Sequence, residues 1–274
     1  MVNKMQVLRM NWFDMKPLFV VSSPEGERRM PLFGHEFSYD IGAKHCVGFW
    51  KGGFQPCPDN AIIKYGNKCQ LCEQRDDYYR CIQCDGSKCI NPEKRADCQR
   101  EKFYIYLAAF NSMLKVGISR DTRLLTRLVE QGCDFGAKVF EVPDGMTARQ
   151  IEQKISSMLG ITDRLKGEHK FVHLFSNPNQ CIANIDNAIN RLRLSDVAQY
   201  MVVPEIFDLR RYYKLDGIKE TPVLLSKIEG RKICGKISAV KGNLLVLENY
   251  GKDIGADYVA MNAHDLVGRT LEPF

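Results

Sequence analysis

The amino-acid sequence predicts an α+β fold, and three observations carry that prediction. Short β-favouring runs occupy both ends of the chain, and eight of the eleven cysteines crowd between positions 46 and 98. From Phe103 onward, strand-like alternation gives way repeatedly to helical periodicity. The expected organisation is a β-rich N-terminal segment (1–45), a zinc-binding module (46–102), an α/β domain with a helical extension (103–215), and a small barrel-like β domain (216–274).

In the first segment, Gln6 to Phe13, Leu18 to Ser22 and Arg28 to Phe33 read as strands separated by turn material such as Ser23-Pro24-Glu25-Gly26. In the third, Phe103 to Phe110 and Met113 to Ile118 form a hairpin across Asn111-Ser112. The next run has an apolar stripe at Leu124, Leu125, Leu128 and Val129, with Ser119 as its expected cap and Gly132 as its stop. Ala137 to Val142 reads as a third strand. Thr147 and Gln150 read as a capping box for a helix carrying Ile151, Ile155, Met158 and Leu159, and Asn177-Pro178 opens another with Ile182, Ile185, Ile189 and Leu192. After Thr221, Val223 to Ile228, Lys232 to Val240 and Leu244 to Leu247 return to β patterning.

No apolar run approaches the ~18 residues of a membrane span, and the first residues lack the apolar stretch of a secretion signal. A soluble, cytoplasmic protein without membrane association is expected. A secreted disulfide scaffold would pair a signal with cysteines spread over the whole stapled region. Metal ligation is the remaining use for them.

The cysteines run Cys46, Cys57, Cys69, Cys72, Cys81, Cys84, Cys89 and Cys98, with two C-x2-C pairs. Two residues between thiolates let a tight turn aim both sulfurs at one metal, so these eight are expected to bind two structural Zn2+ ions. The surroundings, such as Glu73-Gln74-Arg75-Asp76-Asp77, are too polar to form a core without metal. Sequential use is the first expectation: Cys46, Cys57, Cys69 and Cys72 at one ion, then Cys81, Cys84, Cys89 and Cys98 at the other. A site made of the two C-x2-C pairs and an interleaved cross-brace are alternatives; His45 is a nearby substitute ligand, but its place beside Cys46 favours a supporting or surface role. Zinc also changes the charge argument. The formal charge is +6, but each tetrathiolate zinc is −2, so two sites bring it to about +2. Bulk charge therefore argues little for a polyanionic partner, and local clustering must carry that case.

Such a cluster exists. Arg120, Arg123 and Arg127 recur at i, i+3 and i+7, placing three guanidinium groups on one predicted helix face beside Lys115. The planar guanidinium fork suits phosphate oxygens, so this face is the candidate nucleic-acid contact.

Tyr104-Ile105-Tyr106 and Lys115-Val116-Gly117, on adjacent strands followed by an arginine-bearing helix and Ile151-Glu152, resemble the motifs of the GIY-YIG endonuclease superfamily over residues 103–160. The wider pattern of Tyr106 to Phe110, Leu114 to Arg120 and Glu130 to Gly132, with the eight cysteines, is similar to a largely archaeal family without assigned activity. The resemblance implies a three-stranded antiparallel sheet with helices and hydrolysis of a phosphodiester. It implies that Tyr106 orients a water, Gly117 leaves room for nucleic acid at the sheet, Arg127 (or Arg123) stabilises phosphate charge, and Glu152 holds Mg2+ or Mn2+. The chain departs from the pattern at Tyr104, where the first motif has glycine, and at Lys115, where the second has tyrosine. Read from the residues alone, Glu152 is an exposed helix position.

Arg210-Arg211-Tyr212-Tyr213-Lys214 and Tyr78-Tyr79-Arg80 interleave cations with aromatics, as stacking surfaces do, and as ordinary loop packing does too. His169 and His173 fit alternation along an exposed strand. Cys133, Cys181 and Cys234 read as small core residues. The function expected is a zinc-containing nucleic-acid-binding protein, RNA preferred, that uses the central domain for phosphate recognition. The alternatives are a metal-dependent endonuclease and a non-catalytic adaptor for a protein partner.

Overall fold

In the computed structural model, which describes residues 4–162, 167–251 and 254–274, the chain divides into two units. One comprises residues 1–77 together with 212–274, and the other residues 78–211.

The first unit is built on β1 (Met5–Phe13), β2 (Lys16–Ser23), β3 (Gly26–Pro31) and β4 (Glu36–Lys44), followed by the short β5 (Phe49–Trp50), β6 (Phe54–Gln55) and α1 (Gln70–Arg75). The second unit contains α2 (Tyr79–Gln83), α3 (Arg95–Arg100), β7 (Phe103–Phe110), β8 (Met113–Arg120), α4 (Leu124–Gln131) and β9 (Phe135–Val142). It continues through α5 (Gly145–Leu159), α6 (Gly167–Val172), α7 (Pro178–Arg193) and β10 (Met201–Asp208). The chain then re-enters the first unit as β11 (Val223–Leu224), β12 (Lys232–Lys241), β13 (Leu244–Asn249), β14 (Tyr258–Asn262), α8 (Ala263–Leu266) and β15 (Arg269–Pro273). Among the described residues, no helix is long and apolar enough to cross a membrane.

The expected separation of an N-terminal β segment from a C-terminal β domain gives way to one nine-stranded sheet, ordered β11-β14-β13-β12-β4-β15-β1-β2-β3. β4 pairs antiparallel with β12 on one side (Tyr39 opposite Ile233) and with β15 on the other (Leu271 opposite Ile41). The reason is burial. Neither half can cover its apolar face alone, and Val7, Phe19, Phe37, Ile41, Ile237, Leu247, Met261 and Leu271 all become fully buried in the joined unit. The sequence pattern missed β4, β14 and β15, because only β4 alternates cleanly and its Gly42-Ala43 end is weak in β preference.

The second unit holds a four-stranded sheet, β10-β9-β7-β8, one strand wider than expected because β10 adds antiparallel to β9. Alternation along β7 sends Ile105, Leu107 and Ala109 into a core with Val116, Ile151, Ile155, Ile185 and Ile189, so α5 and α7 cover that face. The other face carries Tyr106, Ala108, Phe110, Lys115 and Gly117, with α4 against it: a Cβ on Gly136 would meet Leu128 within 2.6 Å.

Helix boundaries correct three expectations. β8 runs on to Arg120, paired with Phe103, so Ser119 lies in the strand and caps nothing. α5 starts at Gly145 because Asp144, a stronger acceptor than Thr147, takes the amides of Met146 (2.8 Å) and Thr147 (3.4 Å). His169 lies in α6, not in a strand. Gly132 and Gly160 close α4 and α5 in the left-handed conformation, as expected.

Ile41→Ala, at the centre of the β4 ladder, is expected to destabilise the first unit by about 2–5 kcal/mol, measured as a lower urea midpoint. An unchanged midpoint would show that the two ends of the chain do not share a core there.

Candidate functional site

Between β4 and α1 the chain buries little apolar material, Cys46 and Val47 being its buried side chains, and its shape is organised around sulfur. The Sγ atoms of Cys46, Cys57, Cys69 and Cys72 all lie within 4.8 Å of one another. Cys57 and Cys69 are 3.9 Å apart, close to the ~3.8 Å edge of a tetrahedron with Zn–S bonds near 2.3 Å. The backbone amides of Gly48 (3.4 Å) and Cys69 (3.1 Å) donate to Cys46 Sγ, the usual backing for a metal-bound thiolate. Burial, together with the neighbouring sulfurs, pushes the Cys72 thiol far above its ordinary range. Burial also raises Cys46, against the pull of the Cys69 and Gly48 amides. Four thiolates this close need a cation to stay ionised. The cluster can therefore hold a metal such as zinc. Its composition excludes a single site made from the two C-x2-C pairs. His45 is not among the clustered groups; its Nδ1 lies 3.0 Å from the Asn60 carbonyl.

Cys81, Cys84, Cys89 and Cys98 belong to the second unit and line one cavity of about 190 Å3, but no three of their sulfurs lie within 4.8 Å of one another as those of the first set do. Asn91 donates its amide to Cys81 Sγ at 3.1 Å, and Arg95 donates to Cys98 Sγ at 3.7 Å. Both donors suit thiolate charge.

The second unit also gathers several polar groups at its other sheet face. Tyr106 and Gly117 are cross-strand partners, and a Cβ on Gly117 would sit 2.4 Å from the Tyr106 hydroxyl. The space expected to admit nucleic acid over Gly117 is thus filled by the tyrosine ring, which is 1% exposed. Burial raises the Tyr106 hydroxyl well above the usual range, opposed by the Arg127 guanidinium, which is hydrogen-bonded to it. Glu152 also acts on Tyr106 electrostatically. It is buried, not exposed, and accepts from Arg149 Nη1 at 2.7 Å. Arg127 therefore meets Tyr106 directly, while Glu152 acts on it through its charge.

The arginines do not form one helix face. Arg120 ends β8, Arg123 sits in a 3-10 turn at Asp121–Arg123, and only Arg127 is in α4. Arg120 pairs with Glu101, while Arg123 (2.8 Å) and Arg127 (3.4 Å) share Glu130. Lys115 is buried, and its Nζ donates to Gln131 Oε1 at 2.7 Å.

Lys170 escaped the sequence reading, which looked to the flanking histidines. Its Nζ lies 6.0 Å from the Phe110 ring centroid, on the same sheet face as Tyr106. Burial, then the nearby Lys115 and Arg127 charges, lower its pKa to about 8, with Cys133 opposing. Helical periodicity around 167–172 could have moved it off the predicted strand, but six residues give too short a pattern.

What fold and site define is an α+β protein of two units, with a tetracysteine cluster able to hold a metal in one and a buried tyrosine against an arginine in the other. The chain belongs to the family described as protein of unknown function (DUF2797), whose model matches residues 41–257. No curated protein and no solved structure matches it.

Two outcomes are expected. Gly117→Ala, forced against the Tyr106 ring, destabilises the second unit by about 1–3 kcal/mol, read by urea unfolding. For Lys170, the unfolded chain retains a proton between pH 8 and the usual lysine range that the folded chain has lost, so stability contributed by this site rises with pH across that window. Comparing wild type with Lys170→Met at pH 7 and pH 9.5 checks this; a constant difference would refute the lowered pKa.

Proposed function

We propose that the chain is a zinc-containing nucleic-acid-binding protein, with RNA preferred over DNA, that grips the phosphate backbone beside Tyr106 and Arg127. Each cysteine set holds one Zn2+ and serves structure. The observation that carries the reading is the hydrogen bond between the Arg127 guanidinium, itself partly exposed, and the Tyr106 hydroxyl, on a face that also brings in Lys170. A guanidinium offers paired donors to phosphate oxygens. The buried phenol is a poor base at neutral pH, and its part in this reading is to hold the Arg127 guanidinium in place. RNA is preferred only by analogy with other cysteine-rich zinc modules.

The endonuclease reading keeps one supporting observation: Glu152 is buried within electrostatic reach of Tyr106, where the resemblance to GIY-YIG enzymes implies a Mg2+ or Mn2+ ligand. Against it, Arg149 already occupies one carboxylate oxygen of Glu152 and offsets the charge a divalent ion would need. Binding without cleavage is therefore the conclusion.

Anisotropy titrations of labelled RNA and DNA at several salt concentrations test it. Wild type is expected to bind with a steep salt dependence. Arg127→Ala is expected to weaken binding across sequences and lower the log–log salt slope by about 1. Cleavage with Mg2+ or Mn2+ that disappears in Glu152→Ala would replace this reading with the endonuclease. No binding at low salt would overturn both and leave the adaptor role.

A further inference from the structure

The segment carrying the second cysteine set has almost no core of its own. Neither α2 nor α3 contains a buried residue, yet the segment grips the start of α5 at several points. Gly86 accepts from Gln150 Nε2 at 2.7 Å, and the Asp85 carbonyl accepts from Gln153 Nε2 at 3.0 Å. A Cβ on Gly86 would lie 2.7 Å from the Met146 carbonyl, and one on Gly145 would lie 2.6 Å from Cys98 Sγ. Arg95 bridges the two parts, donating to Cys98 Sγ and, at 3.1 Å, to Asp144, whose carboxylate caps α5. One turn further along, Arg149 lines the cysteine cavity and pairs with Glu152.

We infer that Cys81, Cys84, Cys89 and Cys98 form a zinc site that braces α5 and so positions Arg149 and its partner Glu152. The charge of Glu152 reaches Tyr106. The donor types fit the ion: four soft thiolates around one cavity, with amide and guanidinium donors behind two of them, and binding would draw together sulfurs that stand further apart than those of the first set. Because the segment lacks an apolar core, the metal supplies its folding energy. Loss of zinc frees the 84–89 loop, and with it the two glutamine contacts and the Asp144 cap bridge. The arginine and glutamate are positioning partners of the sheet face, and their value for phosphate recognition rests on the reading above. The brace does not.

The test uses the full-length zinc-loaded protein and two double variants. Cys84→Ser/Cys89→Ser is expected to halve the zinc per chain in elemental analysis, and to speed amide exchange across residues 145–159 by about tenfold or more. Gln150→Ala/Gln153→Ala keeps all four cysteines. It is expected to retain the wild-type zinc content while exchange in the same helix rises, which keeps the inference testable if the cysteine variant does not fold. Unchanged zinc in the cysteine variant overturns the metal site. Lost zinc with unchanged α5 exchange, or unchanged α5 exchange in the glutamine variant, overturns the brace. A wild type that binds no nucleic acid, yet shows the expected zinc and exchange results, would refute only the proposed function.

Discussion

The first unit depends on the ladder between β4 and its two partners. A single nine-residue strand hydrogen-bonds to β12 on one edge and β15 on the other, joining segments separated by most of the chain. Ser38, for example, donates to Cys234, 196 positions away. Closing so long a loop costs only slowly increasing entropy, so thermodynamics permits the insertion of residues 78–211 between the two halves. Kinetics is less forgiving, because contacts this distant form late and make such a sheet slow to assemble.

The two units use different devices to place polar groups. In the first, a stretch of loops acquires its geometry from four sulfurs within 4.8 Å. In the second, strand alternation does the placing. Residues at odd positions of β7 enter the core, while even positions, Tyr106 among them, line the opposite face. The absence of a side chain at Gly117 lets the tyrosine ring lie flat across the neighbouring strand. The phenol is thereby fixed by two strands, so its direction toward Arg127 is a property of the sheet rather than of a loop.

Legibility in the sequence followed the range of the interactions. Phe103 to Phe110 matched β7 residue for residue, because local alternation decides a central strand. The helix stops at Gly132 and Gly160 were readable because left-handed caps have a local sequence signature. The sequential grouping of the first four cysteines was readable from spacing, since short loops can reach only nearby partners. The shared nine-stranded sheet was not, because nothing near Ile41 announces Leu271 or Ile233. Arg120, Arg123 and Arg127 failed for a related reason. Their spacing implies one helix face only if the helix starts early, and pairing with Phe103 holds Arg120 in the strand. Glu130 and Glu101, which accept from those arginines, stand in different parts of the chain, and the spacing of the arginines does not reveal them.

The sheet of the first unit ends at β3 and at β11, and each end is unfit for further growth. β3 places Glu27, Arg28 and Arg29 in solvent and closes on Pro31, which has no amide to donate. β11 spans only Val223–Leu224 and pairs parallel, offering little template. A nine-stranded sheet is an aggregation hazard wherever its margins are flat and apolar, because another chain can add as the next strand. Here charge, proline and brevity guard those margins against such addition.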